Sequence, residues 1–439
     1  MNATFFAALV PEHLLLALLL ALMLLEMLRL DVGAGRLLFV LAMLAGLVAS
    51  SVQLAQGYTA VVVPGEIVVD RFALQGRVVV LACAVVAGIA FPSRESFKFW
   101  LLAASSALGA LVILASAGFA SLFLGIEMLS LPAFALMVQG RGSGAAPEAA
   151  FKYLVLSSVA TALLLFGVSL AYGATGTLAI ADWARLLPQP GALPKAAALL
   201  VLCGLFLKAA LFPFHGWAPD AYAGARLPVT ALLASLVKAA VVLALVRIVT
   251  DIPLDAGSAA VIGALAMVSI AFGNLAALAQ KTFRRMLAYS SVAHAGYMVF
   301  ALLDTTGQRA DDLVWYAAIY ALVTLVACAC AARLMPGDDD DLARLDGAFA
   351  VHPGTAVLFA CALLSLAGLP PFPGFFAKLM VFRSVIASGY VVPAVIAFAA
   401  SFLGLAYYAG IAMRLFRAAP GRETPAAPDA VAGARDATA

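Results

Sequence analysis

Two stretches decide the fold: residues 205–224 read LFLKAALFPFHGWAPDAYAG, and residues 365–382 read SLAGLPPFPGFFAKLMVF. Each is a strongly apolar run interrupted where a membrane-crossing helix should be continuous. The first carries Pro213 and Pro219 near its end, and the second carries Gly368, Pro370, Pro371, Pro373 and Gly374 in its middle. Proline lacks an amide donor and clashes with the preceding turn, so each helix breaks. A break at membrane depth persists only where protein or water satisfies the freed carbonyls. Each break also has a lysine five residues away: Lys208 precedes Pro213, and Lys378 follows Pro373.

The rest of the chain supplies the setting. Of 439 residues 65% are apolar, with only 26 basic and 23 acidic side chains, whereas a soluble domain is about 45–50% apolar and about 25% charged. That deficit of charge excludes a soluble enzyme, a nucleic-acid binder and a disordered protein, and the net charge of +3 is too small to imply an anionic partner. At about 20 apolar residues per span, the runs predict an all-α polytopic membrane protein. About 13 transmembrane helices are expected, near 12–29, 37–56, 72–92, 97–116, 119–138, 150–172, 196–217, 228–249, 257–279, 283–302, 313–334, 354–388 and 391–416. The first run is too long, and too soon followed by another, for a cleaved secretory signal. With the N-terminus outside, sixteen lysines and arginines fall on the inner side and five (Arg71, Arg77, Arg185, Lys195 and Arg309) on the outer side. The positive-inside rule therefore places the C-terminus in the cytoplasm.

The breaks fall in the seventh and twelfth spans. An odd offset makes the two segments run in opposite directions, which is the mark of an inverted repeat. The expected organisation is three N-terminal helices in 1–95, a first repeat of helices four to eight in 96–250, a second in 251–417, and a disordered cytoplasmic tail in 418–439 that turns Ala/Pro-rich and polar. Residues 59–70, TAVVVPGEIVVD, hold two β-branched runs around Pro64-Gly65, so an outward-facing hairpin is expected near 58–70. The acidic run Asp338 to Asp341 is read as a solvated inner loop.

Six charges lie inside spans: Glu127, Lys208, Lys238, Arg247, Lys378 and Arg383. A mid-span charge costs about 2.5–3.5 kcal/mol, so Glu127 and the three lysines together cost roughly 10 kcal/mol, comparable with the about 5–15 kcal/mol stability of a whole domain. Such residues are kept for a use. Arg247 and Arg383 lie nearer helix ends, where long stems can snorkel to the interface. Glu127, in GIEMLSLP, is the one carboxylate at the depth of the lysines and the natural partner of Lys208. A carboxylate about 4 Å from an ammonium contributes about 4 kcal/mol at an effective dielectric near 20, so moving Glu127 toward or away from Lys208 would load or discharge the lysine. The set Glu127, Lys208, Lys238 and Lys378 reads as a proton relay along the bilayer midplane; static ion pairs holding helices in register are the plainer alternative. His215, at the first break, and His294, in AYSSVAHAGYM, are possible members, and each is as readily a core histidine.

Other chemistry is absent from the sequence. Cys83, Cys203, Cys328, Cys330 and Cys361 all sit in apolar runs and are read as small core residues. There is no cysteine ladder for an iron–sulfur cluster, no dinucleotide-binding glycine turn and no phosphate loop, so any redox or ATP chemistry belongs to other chains.

At these residues the sequence resembles the antiporter-like membrane subunits of respiratory complex I, the proton-translocating NADH:quinone oxidoreductase. The matching stretches are SLFLGIEMLSLPAFAL, FKYLVLSSVATALLLFGVSLAYGATGT, LFLKAALFPFHGWAPDAYAGARLPVTALLASLVKAA, QKTFRRMLAYSSVAHAGYM and LSLAGLPPFPGFFAKLMVF, spanning about residues 95–415. The resemblance implies that Glu127, Lys208, Lys238 and Lys378 are relay residues, and that the chain docks beside sibling membrane subunits in a bacterial inner membrane. It also implies that no cofactor is bound here, with NADH, FMN, iron–sulfur clusters and quinone on partner subunits. Members of the nearest branch usually have fourteen spans; here the final helix is missing from the pattern. The competing expectation is a cation/proton antiporter module or a membrane subunit of a hydrogenase-type complex, and a third is a structural spacer.

Overall fold

The computed structural model describes residues 3–28, 32–91, 96–139, 145–186, 191–249 and 256–417. The chain opens with a short helix α1 (Ala3–Ala8), then α2 (Val10–Met27) and α3 (Val32–Ala55). A two-stranded antiparallel hairpin follows, β1 (Ala60–Val63) and β2 (Ile67–Val69), turning at Pro64-Gly65. Asp70 then caps α4 (Arg71–Ala90) by accepting from the Ala73 amide at 2.8 Å. After α4 come α5 (Phe97–Ala115), α6 (Phe119–Val138), α7 (Ala145–Thr175) and the short α8 (Ile180–Leu186). The first interrupted run is split into α9 (Ala192–Lys208) and α10 (Trp217–Gly224). It is followed by α11 (Leu227–Leu232), a π-helical turn (Leu233–Val237) and α12 (Lys238–Val249), which run as one rod. The second half holds α13 (Ala256–Leu278), α14 (Phe283–Phe300), α15 (Arg309–Leu334) and the single turn α16 (Ala348–Val351). The second interrupted run is split into α17 (Pro353–Ala367) and α18 (Pro373–Ala387), and α19 (Val391–Arg414) is the last helix described.

Among the described residues eleven helices are long and apolar enough to cross a membrane, and α17 is a shorter apolar helix. The α11–α12 rod and α14 are enclosed by other helices, whereas α2, α3 and α19 lie mostly at the surface. Without a hydrophobic drive between helices in lipid, close backbone packing has to hold the bundle together, and small residues permit it. A Cβ on Gly109 would lie 2.5 Å from the Leu129 amide nitrogen, so α5 and α6 cross in backbone contact. Gly273 meets the Ala293 amide nitrogen at the same 2.5 Å where α13 crosses α14.

Four expectations are corrected. The run at 338–341 is not simply solvated: Asp340 is buried, accepts the Arg284 amide at 2.7 Å at the start of α14, and pairs with the Arg284 guanidinium at 3.0 Å. A helix start offers free N–H groups and a positive field, and an aspartate answers both. Arg247 does not reach freely to the interface. Its guanidinium pairs with Asp70 at 2.5 Å and donates to the Ser116 carbonyl at 2.8 Å, tying α12 to the start of α4. Arg77, counted with the outer loops, is fully buried and paired at 2.5 Å with Glu12 between α2 and α4. Finally, only Cys83, Cys328 and Cys330 are core residues; Cys203 and Cys361 are half-buried on helix flanks. The tail 418–439, with Arg422 and Arg435, and the loop residues Arg29, Arg94 and Arg141 lie outside the described residues.

Candidate functional site

Both breaks are built by the same turn. Helix α9 ends with Ala210 in the left-handed region (φ 56°), the Leu211 amide reaching back to the Phe206 carbonyl at 3.0 Å and the Ala210 amide to Leu207 at 3.1 Å. Helix α17 ends with Gly368 at φ 83°, Leu369 donating to Leu364 at 3.1 Å and Gly368 to Ser365 at 2.9 Å. This double closure is the Schellman ending, which satisfies the last carbonyls of a helix. From that residue onward the two chains read in step: Leu211, Pro213, Phe214, Gly216 and Leu369, Pro371, Phe372, Gly374. Side chains cover the remaining polar groups. Trp217 Nε1 donates to the Leu207 carbonyl at 2.7 Å, Ser269 Oγ accepts from the Phe212 amide at 3.1 Å, and Ser365 Oγ accepts from the Gly374 amide at 3.0 Å.

Lys208 is the last residue of α9, at the end where the helix dipole favours a cation. Its ammonium lies 3.6 Å from Glu127 Oε1 on α6 and donates to Ser157 Oγ at 2.9 Å and Ser130 Oγ at 3.3 Å. Glu127 is oriented from α7, since Thr161 donates to the same carboxylate oxygen at 2.7 Å. Against Lys208 lies a cavity of about 20 Å³ bordered by Ser130, Tyr153, Ser157, Trp217 and Val237, with room for a water molecule.

Val237 closes the π-helical turn, and Lys238 follows it directly. A π-turn inserts one residue into a helix and re-aims the side chains beyond it. Lys238, 2% exposed, points its ammonium at Ser291 Oγ on α14, 3.5 Å away. Three residues further along α14, on the same face, His294 is buried with its Nδ1 3.0 Å from the Tyr316 hydroxyl. A cavity of about 10 Å³ borders His294, Tyr316, Tyr320, Ser365, Gly374 and Ala377, and Lys378 is the next residue. The Lys378 ammonium crosses its break to donate to the Ala367 carbonyl at 2.8 Å, and lies 4.9 Å above the Tyr297 ring. Lys378 projects from the helix after its break and Lys208 from the helix before its own, yet both ammonium groups end beside the last turn of the first half-helix.

Lys208, Lys238, His294 and Lys378 are thus all buried, with Glu127 partly exposed beside Lys208, whereas His215 is only half-buried. It lies in an aromatic pocket, with ring centroids 5.5 Å from Phe212 and 4.6 Å from Phe272. The hydroxyls of Tyr153, Tyr222, Tyr316 and Tyr320 along this line were not singled out from the sequence. Their only signal is a polar tip on a residue that otherwise fits an apolar run. Tyr222, Tyr320 and Thr324 have buried hydroxyls without a protein partner of good geometry. No group of three or more His, Cys, Asp or Glu side chains among the described residues could hold a metal ion.

A nearly all-helical bundle with two broken helices and buried ionisable groups at both breaks defines an antiporter-like polytopic membrane protein. Residues 116–404 match the family described as NADH:quinone oxidoreductase/Mrp antiporter, transmembrane. The chain belongs to that family. It is 52% identical over 410 residues, 93% of its own length and 88% of the relative's, to NADH-quinone oxidoreductase subunit N of Pelobacter propionicus. Among solved structures it superimposes on a chain of respiratory complex I from Thermus thermophilus with bound aureothin, at TM-score 0.83 and 34% identity, covering 94% of this chain and 92% of that one. It is also similar to a chain of the membrane-bound sulfane sulfur reductase, an archaeal respiratory membrane complex, at TM-score 0.86 and 25% identity over 95% of this chain and 90% of that one.

Proposed function

We propose that this chain is a proton-translocating membrane subunit of a bacterial NADH:quinone oxidoreductase, driven by quinone reduction in partner subunits. The observation that carries the reading is the buried Lys208 ammonium, 3.6 Å from the partly exposed Glu127 carboxylate and beside a cavity whose far wall reaches Val237, the residue before Lys238. In the proposed relay Lys208 exchanges a proton with water held between it and Lys238. Lys238 passes it along the Ser291 and His294 face of α14, and Lys378 is the far station. Glu127 sets the charge of Lys208 by its distance. His215 is a packing residue of the first break. The relative from Pelobacter propionicus supports the choice of complex I over a cation/proton antiporter module.

The same reading assigns the N-terminus and the hairpin to the outside and the C-terminus to the cytoplasm, with the arginine-rich helix ends facing in. It assigns residues 96–250 and 251–417 to two inverted five-helix units, supported by the matching turns at the breaks and the matching glycine crossings of α5 with α6 and α13 with α14. NADH, FMN, iron–sulfur clusters and quinone are assigned to partners, leaving no cofactor here. The test is proton pumping by the assembled complex in sealed vesicles. Lys208→Ala and Glu127→Ala should each cut the proton-to-electron ratio while the complex still assembles and oxidises NADH. An unchanged ratio in both variants refutes the relay.

A further inference from the structure

Asp312, 4% exposed in the first turn of α15, is a buried acid that the relay does not use. It lies at the level of the hairpin, because its neighbour Asp311 accepts from Gln75 Nε2 at 3.1 Å and pairs with Arg71 at 3.7 Å at the start of α4. A carboxylate at a helix start gains from the helix dipole, and Asp311 has that gain while staying partly in water. The dipole therefore accounts for Asp311 and leaves unexplained a second carboxylate taken out of water, which carries a desolvation cost.

Two lines of polar groups lead to Asp312. Along α15, Tyr316 and Tyr320 follow it at four-residue steps on one face, and aromatic side chains on a helix lean toward its start. The Tyr316 hydroxyl is 3.0 Å from His294 Nδ1, and His294 and both tyrosines border the cavity of about 10 Å³. On α18, Ser384 donates to Asp312 Oδ2; it stands six residues beyond Lys378, about 9 Å at 1.5 Å per residue. From there the network reaches the surface. Ser388 Oγ donates to the Ser384 carbonyl at 2.9 Å and to Asp304 Oδ1 at 3.2 Å, and accepts from the amide of the exposed Thr305 at 2.8 Å.

We propose that Asp312 is the acid through which a proton leaves the buried line for the outer face, received from the Tyr316 phenol directly or over one water molecule and released beside Ser384 and Ser388. A proton arriving at His294 makes it an imidazolium. Its Nδ1 proton passes to the Tyr316 oxygen as the phenolic proton passes to the Asp312 carboxylate, which returns the histidine and the phenol to neutrality. Loss of that proton to outer water restores the carboxylate, so only N–H and O–H bonds break and form. The inference rests on the relay and its orientation as proposed above, and names where its protons leave.

The test is the proton-to-electron ratio of the assembled complex in sealed vesicles, with Lys208→Ala as the reference. Asp312→Asn keeps an acceptor for the Ser384 hydroxyl and should lower the ratio as far as Lys208→Ala does. Asp312→Glu should recover most of that loss, and Tyr316→Phe, which keeps the ring, should give a smaller one. Asp311→Asn, at the same helix start, should leave the ratio unchanged; an equal loss from Asp311→Asn and Asp312→Asn marks a contribution to the helix alone and overturns the proposal. A lowered ratio in Lys208→Ala with a wild-type ratio in Asp312→Asn overturns the exit and leaves the relay standing. Wild-type ratios in both remove the relay and the exit with it. Should Asp312→Asn fail to assemble, Tyr316→Phe decides, and a wild-type ratio there overturns the proposal.

Discussion

The two broken helices share a turn but hold their lysines by different chemistry. In the first, the Lys208 ammonium faces a carboxylate 3.6 Å away and two serine hydroxyls. In the second, the Lys378 ammonium faces one carbonyl at 2.8 Å and the face of Tyr297. A carboxylate that can approach or retreat gives the first lysine an adjustable charge, whereas a carbonyl and an aromatic ring give the second a fixed environment of weaker attraction. In the proposed relay, the two breaks would therefore hold two different stations: one that is switched by its partner, and one that responds only to what reaches it along the line.

The sharpest way to break that comparison is at the glycines that occupy the same place in each turn. A Cβ at Gly374 would lie 1.8 Å from the Ser365 carbonyl oxygen, whereas one at Gly216 would meet nothing within 4 Å. The clash is with backbone and cannot be relieved by a rotamer, so Gly374→Ala should cost about 3 kcal/mol or more and remove the chain from assembled membranes. Gly216 is helical at φ −55°, and Gly216→Ala should be neutral or stabilising by about 0.5–1 kcal/mol. Immunodetection of the membrane-inserted chain, followed by NADH oxidation, separates the two. Equal assembly of both variants would show that the breaks are not packed as described.

A second pair of substitutions probes the lysine environments. Glu127→Gln keeps the Thr161 contact and deletes the charge, leaving the buried Lys208 ammonium without its counter-charge. Tyr297→Leu keeps an apolar cover over Lys378 and deletes the ring, worth about 0.5–2 kcal/mol. Proton pumping should fall at least tenfold in the first and two- to fivefold in the second, at matched NADH oxidation. A larger loss from Tyr297→Leu would reverse the assignment of which lysine is switched.

What could be read in advance follows from the size of the penalties involved. Charges and prolines in hydrocarbon are costly enough to stand out one residue at a time, so the breaks, Glu127 and the three lysines were legible, as was the hairpin from Pro64-Gly65. Partners were less so. The Glu12–Arg77 pair was hidden because each residue sits near the end of its apolar run, where a charge looks affordable to solvent. The bond from Lys378 to the Ala367 carbonyl runs backward across the break, a direction no periodicity encodes. His215 and His294 looked alike as single letters. Their difference lies in what surrounds them: phenyl rings for His215, and tyrosines for His294, one of whose hydroxyls lies 3.0 Å from Nδ1.

The smallest expected effect concerns the turns themselves. Ala210 holds a left-handed conformation that costs a residue with a Cβ about 1–2 kcal/mol, while the second break places Gly368 at the matching point. Exchanging the residue types tests whether that strain has a use. Gly368→Ala should cost about 1–2 kcal/mol and push on Lys378, whose Cδ lies 2.9 Å from the new Cβ, so pumping and thermal stability should fall together. Ala210→Gly should relieve the strain, offset by the greater freedom of glycine in the unfolded chain, for a net gain of about 0.5–1 kcal/mol. Its inactivation temperature should rise slightly, with pumping unchanged. If pumping drops while stability rises, the strained turn two residues after Lys208 takes part in switching the first station. The second break, with its glycine, would then be a relaxed copy of a turn that the first keeps under tension.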